Sequence, residues 1–455
     1  MIREDDVVAW LREEAAALLE AGVGMGTMEQ TLDRVILEGR RRALEGLVQQ
    51  AAQAQALTCP RCRSALQVEE HGRERKVHSA FGLIRFARSY GFCPDCGEYA
   101  YPADVTLGLQ ERAPASPRVQ EICALTALRA PACQVQDDVR RLTGIDLDPS
   151  SLHREARRQG ERALVVREAD VALTRTLKGV TDLAARAHTP AAPFTLVIEV
   201  DAWNIRERDH WGQSQVLRAA GIDTGRWHWV YTGTVFRLDQ RGTTASGRPV
   251  IAERGFVATR TGLEGFPPQL YAEALQRGLL QAEHVLILAD GAIWIWNLAE
   301  DRFKGATQRV DLYHVKEHLW TLANELFGQG TDQAKTWVAP FLHWLDRRKD
   351  GVLDVIEGLE GLRATVDQCT AAQREALERE IGYFDTHKNR MDYKTGKALG
   401  QPVGSGAVES TCHQYQGRFK LPGQFWSLEG DEAFLALATL HRNGRWKRLF
   451  PHDSA

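Results

Sequence analysis

FTLVIEVD at residues 194–201 and HVLILAD at residues 284–290 are the two segments that decide the fold. Each is a short apolar run with β-branched residues that ends on an aspartate, a pattern typical of strands buried in a sheet. Between them, the stretches 226–238 and 250–258 predict two further strands, and a helix is expected near residues 269–280. This region therefore predicts three strands in succession, then a helix and a fourth strand.

The chain after Asp290 continues to alternate helix and strand. A helix begins with WIW at 294–296, a strand follows in QRVDLY at 308–313, and HVKEHLWTLANELF at 314–327 has helical periodicity. Three successive strands followed by alternating helix and strand is the order of the ribonuclease H-like α/β fold. In this order the strands that end at Asp201 and Asp290 are neighbours, so the two side chains can converge on one metal ion.

Length and composition bound the remaining possibilities. A chain of 455 residues is too long for one ordinary domain and predicts about three units. Apolar residues at 44% and charged residues at 26% are ordinary globular values, which exclude wholesale disorder. Residues 1–22 predict an amphipathic helix rather than a secretory signal, and no apolar run reaches the ~20 residues of a membrane span, so we expect a soluble cytoplasmic protein. Because the net charge is −3, any DNA binding must rest on local basic faces.

The pattern along the chain predicts a multidomain α+β protein. Its expected parts are a helical leader at 1–55, a zinc-ribbon-like module at 56–112, a helix-turn-helix DNA-binding region at 113–190, a ribonuclease H-like catalytic core at 191–330 and 396–430, an all-helical insertion at 331–395, and a C-terminal helix with a basic tail at 431–455.

Two Cys-x-x-Cys pairs carry the metal prediction, Cys59 with Cys62 and Cys93 with Cys96, with a strand pattern between them from Leu83 to Tyr90. Each pair forms a tight turn that presents two thiolates, and two such turns complete a tetrahedral zinc site. The Zn²⁺ would be structural, because four thiolates leave no open position for a substrate. The alternative is a pair of coincidental turns with free thiols. The other four cysteines are predicted to be buried thiols: Cys123, Cys133, Cys369 and Cys412.

Three helical segments between residues 117 and 165 resemble a helix-turn-helix. The middle segment, 133–144, meets the short turn IDLD at 145–148, and Asp148 or Ser150 can cap the third helix. Basic side chains lie on the first turns of that third helix, where a recognition helix contacts DNA: His153, Arg154, Arg157 and Arg158. The alternative is a charged, solvent-facing helix in an all-α linker.

Three acidic residues form the predicted catalytic site. Two-metal phosphoryl transfer requires carboxylates on rigid elements, with the ions about 3.5–4 Å apart. Asp201 and Asp290 each end an apolar strand, and Glu409 follows a glycine-rich turn near the start of a helix. Glu199 lies two residues before Asp201, so it is expected on the same face of the strand and is a reserve candidate.

Four segments together closely resemble the DDE transposases of bacterial insertion sequences of the ISKra type: VDAWNIRER at 200–208, LADGAIWIW at 288–296, RVDLYHVKEHL at 309–319 and GSGAVEST at 404–411. The resemblance spans most of the chain. It implies Asp201, Asp290 and Glu409 as a triad that holds two Mg²⁺ or Mn²⁺ ions, and transposon ends and target double-stranded DNA as substrates. It also implies a homodimer or larger homo-oligomer and a nucleoid-associated location.

The resemblance further implies a mechanism in which water attacks the phosphodiester at the element end. The liberated 3′-OH then attacks target DNA, without a covalent protein intermediate. After Glu409, the segment HQYQGRFKLPGQFW leaves Arg418 and Lys420 as the basic residues for contact with DNA.

Competing interpretations attach to other residues. His314, Glu317 and His318 spell the H-x-x-E-H pattern of inverted zinc proteases, although His314 can also lie near the predicted carboxylate site as an accessory residue. Trp294 and Trp296 can stack on a splayed base or belong to the core. For the whole protein, the alternatives are a catalytically silent DNA-binding regulator and a structure-specific nuclease of the same fold.

Overall fold

A computed structural model describes residues 9, 12–13, 15–18, 20–109, 113–208, 210, 212–222, 224–363 and 370–451. The protein is a mixed α+β chain that divides into two compact units, Met1–Gly160 with Leu449–Ala455, and Glu161–Arg448. Most of the amphipathic helix predicted for residues 1–22 and the predicted thiol of Cys369 lie outside the described residues. No helix in the described ranges is long and apolar enough to cross a membrane.

In the first unit a long helix packs on a small sheet. Helix α1 (Met25–Ala54) lies against strand β2 (Gly82–Phe92), which pairs antiparallel with β1 (Gln67–Ser79) and with the short β3 (Tyr99–Ala100). Gln49 of α1 satisfies the outer edge of β2, because its amide donates to the carbonyl of Ala87 at 3.2 Å and accepts from the Ala87 amide at 2.8 Å. An unpaired strand edge is thereby covered by a side chain.

Helices follow this sheet: α2 (Pro102–Thr106), α3 (Pro117–Ala127), α4 (Ala132–Thr143) and α5 (Pro149–Leu173). The predicted three helices of this region are confirmed. Buried residues of α3, α4 and α5 form one core that includes Val119, Val139 and Leu152. Asp148 caps α5, since its carboxylate accepts from the Ser151 amide at 3.0 Å and from the Ser151 hydroxyl at 2.7 Å.

The second unit contains a five-stranded mixed sheet. After helix α6 (Leu177–Ala184), the chain forms β4 (Thr195–Arg208), helix α7 (Ser214–Ala219), β5 (Gly225–Arg237), the small hairpin β6 (Arg241–Thr243) and β7 (Pro249–Ile251), β8 (Gly255–Thr259), helix α8 (Gly262–Gln276), β9 (His284–Ala289), helix α9 (Ile293–Arg302) and β10 (Thr307–Val310). The sheet order is β10-β9-β4-β5-β8, in which β4, β5 and β8 are antiparallel while β4, β9 and β10 are parallel. The prediction that the strands of Asp201 and Asp290 are neighbours is confirmed.

Two strand predictions were wrong in their bounds. Strand β4 does not end at Asp201 but continues to Arg208, because residues beyond Asp201 alternate between buried and partly exposed positions and pair with β5 as far as Gly225. The polar Glu207 is buried in this extension and forms an ion pair with Arg260. The stretch 250–258 forms two strands, β7 and β8, rather than one.

Helices cover both faces of this sheet. Residues Gly233 and Thr234 of β5 face opposite sides, as successive strand residues do. A Cβ on Gly233 would approach Leu270 of α8 at 2.7 Å, whereas the Thr234 hydroxyl donates to Thr411 at 2.9 Å on helix α15 (Gly406–Phe419). Helices α8 and α15 therefore lie on opposite faces, and α16 (Leu428–Arg442) packs on β8.

The segment between the sheet and α15 is helical, as predicted. After α10 (Leu312–Phe327) it contains α11 (Asp332–Arg347), α12 (Gly351–Arg363), α13 (Ala371–His387) and the short α14 (Tyr393–Ala398). Its buried residues, such as Phe341, Leu359 and Phe384, belong to the same core cluster as Leu319 of α10 and Ile287 of β9. The helical segment and the sheet thus share one core.

Candidate active site and metal centre

Asp201 and Asp290 lie side by side at one edge of the parallel pairing. Val200 of β4 pairs with Ala289 of β9, so each aspartate is the next residue on adjacent parallel strands, which are about 4.8 Å apart. Burial raises the pKa of Asp201, and the negative charge of Asp290 raises it further. Two like charges are held close together by the backbone itself.

Short local contacts orient both carboxylates. Asp201 accepts from the amide of Ala202 at 2.6 Å and from the thiol of Cys412 at 3.4 Å. Asp290 accepts from the amide of Ala292 at 3.0 Å. The turn between Asp290 and Ala292 requires glycine, because Gly291 has a φ of 109° and a Cβ there would lie 3.4 Å from the Tyr383 hydroxyl of α13.

Glu409 lies in the first turn of α15 and is exposed. The Ser405 hydroxyl donates to its carboxylate at 3.2 Å. Cys412, which contacts Asp201, lies about one turn further along the same helix, and the charge of Glu409 helps to raise the pKa of that thiol. Glu409 is therefore on the side of α15 that faces Asp201.

Glu199 lies below the start of α15 and is 1% exposed. It accepts from the amide of Val408 at 2.9 Å, so it satisfies a helix N-terminus from a neighbouring strand. Burial raises its pKa to about 8 despite this hydrogen bond, and the charges of Asp311 and Glu409 act in the same direction. The predicted orientation is confirmed, because Glu199 and Asp201 both contact α15.

Asp311 is a fifth acidic residue in this region and was not predicted. It is fully buried directly after β10, and it caps α10 by accepting from the amides of Tyr313 and His314 at 2.5 and 3.3 Å. Its other oxygen accepts from both the amide and the hydroxyl of Ser405. The aspartate in QRVDLY, between a strand and a helix, was the available signal.

Ser405 joins two of these acids. Its hydroxyl is within 2.5 Å of Asp311 and within 3.2 Å of Glu409. The preceding Gly404 allows the loop to pass close to α10, because a Cβ there would be 2.7 Å from the Tyr313 ring. The glycine-rich turn noted in the sequence thus fixes the position of Glu409 through Ser405 and Asp311.

The carboxylate site lacks basic partners in the part of the chain that the structure describes, since neither Asp201, Asp290 nor Glu409 forms an ion pair with Lys, Arg or His there. The charge of His314 lowers the pKa of Asp201, which places the imidazole nearby, although the ring pairs with Glu317 at 3.2 Å. The only ligand atoms that the three carboxylates offer to a cation are oxygens. The carboxylate oxygens of Asp201, Asp290 and Glu409 do not all lie within 4.8 Å of one another.

The two histidines of the H-x-x-E-H segment do not face a common metal position. His318 turns to the buried Glu380 of α13, at 2.6 Å from Nδ1 to the carboxylate, and stacks on Tyr383 with ring centres 3.7 Å apart. His314 pairs instead with Glu317. These contacts give His318 a structural partner in the helical segment and do not favour the protease interpretation.

The four paired cysteines do converge. All four sulfur atoms lie within 4.8 Å of one another, and they are the one such group of three or more possible metal ligands among the described residues. Cys59 and Cys96 are 3.5 Å apart, and Cys62 and Cys93 are 3.3 Å apart. A tetrahedral Zn²⁺ with bonds of about 2.3 Å requires sulfur separations near ~3.8 Å. These cysteines can hold a structural zinc ion.

Two matching turns build this thiol cluster. The amide of Arg63 donates to Cys59 at 2.9 Å, and the amide of Gly97 donates to Cys93 at 2.9 Å. Arg63 and Gly97, each directly after the second cysteine of its pair, have φ values of 67° and 68°. The two turns therefore have the same conformation and face each other through an ion pair between Arg61 and Glu98.

The other cysteines differ from expectation at one position. Cys123 and Cys412 are buried as predicted, whereas Cys133 is exposed. The prediction for Cys133 was wrong because this residue lies in the first turn of α4, whose buried side carries Val135 and Val139.

The predicted DNA-binding residues differ in accessibility. His153 and Arg154 are exposed on the first turns of α5, Arg157 is half-buried, and Arg158 pairs with Glu155 at 2.7 Å. Lys420 is exposed, 5.5 Å from the ring centre of Trp227.

Arg418 is in a different environment from Lys420. It is 8% exposed and packs 5.3 Å from the Trp426 ring centre, and burial lowers its pKa to about 10. Little of its surface remains for contact with DNA.

The tryptophans also divide into two groups. Trp296 and Trp426 are buried in the core at 4% exposure each, and Trp294 packs edge-on against Tyr231 with ring centres 5.1 Å apart. Trp227 and Trp229, near the outer end of β5, are more than half exposed. Of the tryptophans named here, the exposed ones therefore lie on β5 and not beside Asp290.

Comparison with models of known protein families gives no match for this sequence, and comparison with curated protein sequences also gives none.

Proposed function

We propose that this protein is a DNA transposase of the DDE type, in which Asp201, Asp290 and Glu409 hold the catalytic metal ions. The observation that carries the proposal is the position of Asp201 and Asp290, each of which directly follows the last paired residue of two adjacent parallel strands, Val200 and Ala289. Glu409 reaches the same edge on α15, held by Ser405. Carboxylates on rigid, neighbouring elements are what two-metal phosphoryl transfer requires.

The sheet supports a ribonuclease H-like core for this proposal. Three antiparallel strands followed by two parallel strands, in the order β10-β9-β4-β5-β8, agree with that fold. A fold alone does not define an activity, so the acidic residues carry the argument. In this proposal residues 331–395 are the insertion domain of the catalytic core.

The residues present fit a hard divalent cation. The donor set consists of carboxylate oxygens, which suit Mg²⁺ or Mn²⁺ rather than softer metals. Asp290 disfavours the charged form of Asp201, and a bound cation would reverse that effect. When bound, the ions supply an activated water and neutralise charge on the scissile phosphate.

The chain's own residues position the reacting groups. The amides of Ala202 and Ala292 fix the carboxylate orientations of Asp201 and Asp290, while Ser405 fixes Glu409. Water attacks the phosphodiester at the element end, and the 3′-OH released there attacks target DNA. Each step exchanges one phosphodiester oxygen for another, so no covalent intermediate with the protein is needed.

DNA recognition is assigned to the other elements. Helices α3 to α5 act as a helix-turn-helix, with His153 and Arg154 at the exposed start of α5, next to Arg157 and Arg158. The cysteine module is a zinc ribbon, and Lys420, at the C-terminal end of α15 beside Trp227, contacts the phosphate backbone. Two copies of the chain, or more, pair the two ends of the element in the bacterial nucleoid.

The test is cleavage of a duplex that carries the ends of the DNA element flanking the gene, with Mg²⁺ or Mn²⁺. We compare the wild type with Asp290→Asn and with Asp301→Asn, an exposed aspartate on α9 whose side chain is 68% exposed. Wild type and Asp301→Asn are expected to cut at the element ends, and Asp290→Asn is expected to bind without cutting.

Two other outcomes would replace the proposal. Binding without cleavage by all three proteins would favour a silent regulator. Cleavage that follows branched or flapped DNA rather than element ends would favour a structure-specific nuclease.

A further inference from the structure

The part of the β4–β5 pair beyond Asp201 exposes two tryptophans side by side. In this part, Asn204 of β4 is opposite Trp229 of β5, and Arg206 is opposite Trp227. Residues directly opposite each other in an antiparallel pair lie on the same face of the sheet. We call this surface the tryptophan face, and it consists of Asn204, Arg206, Arg208, Trp227 and Trp229.

Helices cover this side of the sheet only in part. Tyr231, two residues from Trp229, lies on the same side. Its ring packs against Phe266 of α8 and edge-on against Trp294 of α9, with ring centres 5.9 and 5.1 Å away. Further out along β5, Trp229 and Trp227 are 53% and 58% exposed. Because tryptophan is highly buried on average, two neighbouring exposed indoles indicate a binding surface.

A cation lies beside the outer of these two rings. The Lys420 amine is 5.5 Å and the Arg206 guanidinium 5.9 Å from the ring centre of Trp227. Lys420 is exposed and forms no ion pair with any residue that the structure describes. Because Arg206 makes a further contact of its own, Lys420 is the accessible cation at Trp227.

The tryptophan face carries no carboxylate among residues 202–208 and 225–231, all of which the structure describes. The acidic residue of these stretches, Glu207, points to the opposite face. It is 4% exposed and forms an ion pair with Arg260. The surface therefore presents open aromatic rings and a cation without an acidic side chain among them, which favours a planar, negatively charged partner over an acidic-rimmed protein surface.

A cavity of about 300 Å³ adjoins the outer end of the tryptophan face. It shares Arg206 and Arg208 with that face, and Phe425 and Arg218 also line it. Its volume is at the lower limit of the roughly 300–1,000 Å³ typical of ligand sites. Arg218, in the last turn of α7, is exposed and forms no ion pair within the described ranges. The face thus leads from the tryptophans to a cavity with a second accessible cation.

We infer that the tryptophan face binds unpaired nucleotides of a DNA strand, with bases stacked on Trp227 and Trp229 and a phosphodiester beside Lys420. Every base has a π-face, so two exposed indoles form a platform that accepts any sequence. A base inside a duplex has both faces covered by its neighbours, so only an unpaired base can stack on either ring. The face starts directly beyond Asp201, and the inference rests on the proposed function only for DNA as the nucleic acid.

The first experiment measures fluorescence anisotropy of a labelled single strand of about 12 nucleotides, within the site sizes of known single-strand grooves, with the full-length protein. Trp229→Ala and Trp227→Ala are each expected to weaken binding about 5- to 150-fold, the range for loss of one stacked base. Trp229→Phe retains most of the affinity, because an aromatic ring remains. Leu353→Ala in α12 is the matched control, because Leu353 is also 53% exposed.

A strand of the same length without bases distinguishes stacking from attraction between charges. Wild type is expected to bind this abasic strand more weakly than the normal strand, because only the phosphates remain. Trp229→Ala should show a smaller difference between the two strands than wild type does. Unchanged thermal melting shows that the variants are folded.

A second measurement locates the strand directly. An oligonucleotide with 5-iododeoxyuridine is cross-linked by light to the wild-type protein, and the cross-linked peptide is expected to contain Trp227 and Trp229.

The inference is overturned if folded Trp229→Ala and Trp227→Ala both bind the single strand like wild type, or if the cross-link maps to another part of the chain. It is also overturned if the matching duplex binds with the same dependence on these tryptophans. Light scattering tests a protein partner: variants that change the oligomeric state but keep single-strand binding would assign the face to a second copy of the chain.

These outcomes are independent of cleavage. A protein that cuts element ends but fails the tryptophan test keeps the proposed function, and one that passes this test but cuts nothing keeps the tryptophan face.

Discussion

The cysteine cluster (Cys59, Cys62, Cys93 and Cys96) and the carboxylate edge (Asp201, Asp290 and Glu409) are assembled in different ways. Each cysteine pair is a local turn, so residues three apart in sequence supply two ligands at once, and one hairpin brings the two turns together. Asp201, Asp290 and Glu409 come from three elements far apart in sequence. The sulfur atoms lie within 4.8 Å of one another, whereas the three carboxylates do not. In a site built from local turns the backbone alone brings the ligand atoms together. In a site built from distant elements, other residues must position each ligand side chain.

The largest effect is expected from disruption of the cysteine cluster. Cys93→Ser removes one of four thiolates, and structural zinc in small modules contributes on the order of 10 kcal/mol to folding. Wild type should contain one tightly bound zinc ion per chain by elemental analysis, and the variant none, with rapid proteolysis in β1 and β2. The matched control is Cys133→Ser, an exposed cysteine outside the cluster. Equal zinc content in all three proteins would contradict the assignment.

The second largest effect distinguishes a residue that positions the carboxylates from a residue that binds the metal ions. Asp311→Asn keeps a cap for α10 but cannot accept both hydrogen bonds from Ser405 as the carboxylate does. Loss of such an outer contact typically costs about 10- to 100-fold in metal affinity or activity. We expect cleavage to fall within that range and to recover partly at high Mn²⁺.

Asp392→Asn is the control for this change, because Asp392 also caps a helix by accepting from the Thr395 amide at 3.1 Å. If both variants lose the same activity, Asp311 acts through folding alone.

A third prediction concerns Glu199 and pH. Its pKa is raised to about 8 in the folded chain, so its contribution to stability is fully present below the unfolded value of about 4.5 and is lost as pH rises through 8. Compared with Glu199→Gln, wild type should lose on the order of a few kcal/mol of unfolding free energy between pH 5 and 9. Urea unfolding of both proteins without divalent metal measures this difference. Parallel pH profiles would contradict the buried, protonated state.

The smallest expected effect concerns the contribution of Lys420, at the C-terminal end of α15, to DNA affinity. Lys420→Ala should weaken duplex binding a few-fold and reduce the salt slope by about 1, because one phosphate contact is lost. Lys335→Ala, on a 58% exposed side chain of α11, is the control. Electrophoretic mobility shifts at several salt concentrations compare the two. An identical salt slope in both variants would remove Lys420 from the DNA surface.

The sequence predicted those features that depend on local pattern or strand order. The apolar segments before Asp201 and Asp290 predicted neighbouring strands, and the cysteine spacing predicted the thiol cluster. The extension of β4 beyond Asp201 was not predictable, because it includes the buried Glu207, whose charge is offset by Arg260 from a distant segment. Asp311 resembled an ordinary helix cap, and its second partner, Ser405, is 94 residues away.

Burial by aromatic residues explains why Arg418 is less accessible than predicted. Charge alone predicted an accessible cation, yet Phe419, Trp426 and Phe434 surround its guanidinium. Local sequence patterns predict the elements that carry Asp201, Asp290 and Glu409 but not the contacts between those elements.

Strand transfer is the most direct test of the central claim. Pre-cut element ends with free 3′-OH groups are incubated with supercoiled plasmid and Mg²⁺, using wild type, Glu409→Gln and the control Glu429→Gln. We predict that wild type and Glu429→Gln join the ends to the plasmid, and that Glu409→Gln reduces joining by more than about 100-fold, beyond the loss expected for an outer contact. Equal joining by Glu409→Gln and wild type, or no joining by a wild type that still binds the ends, would contradict the account.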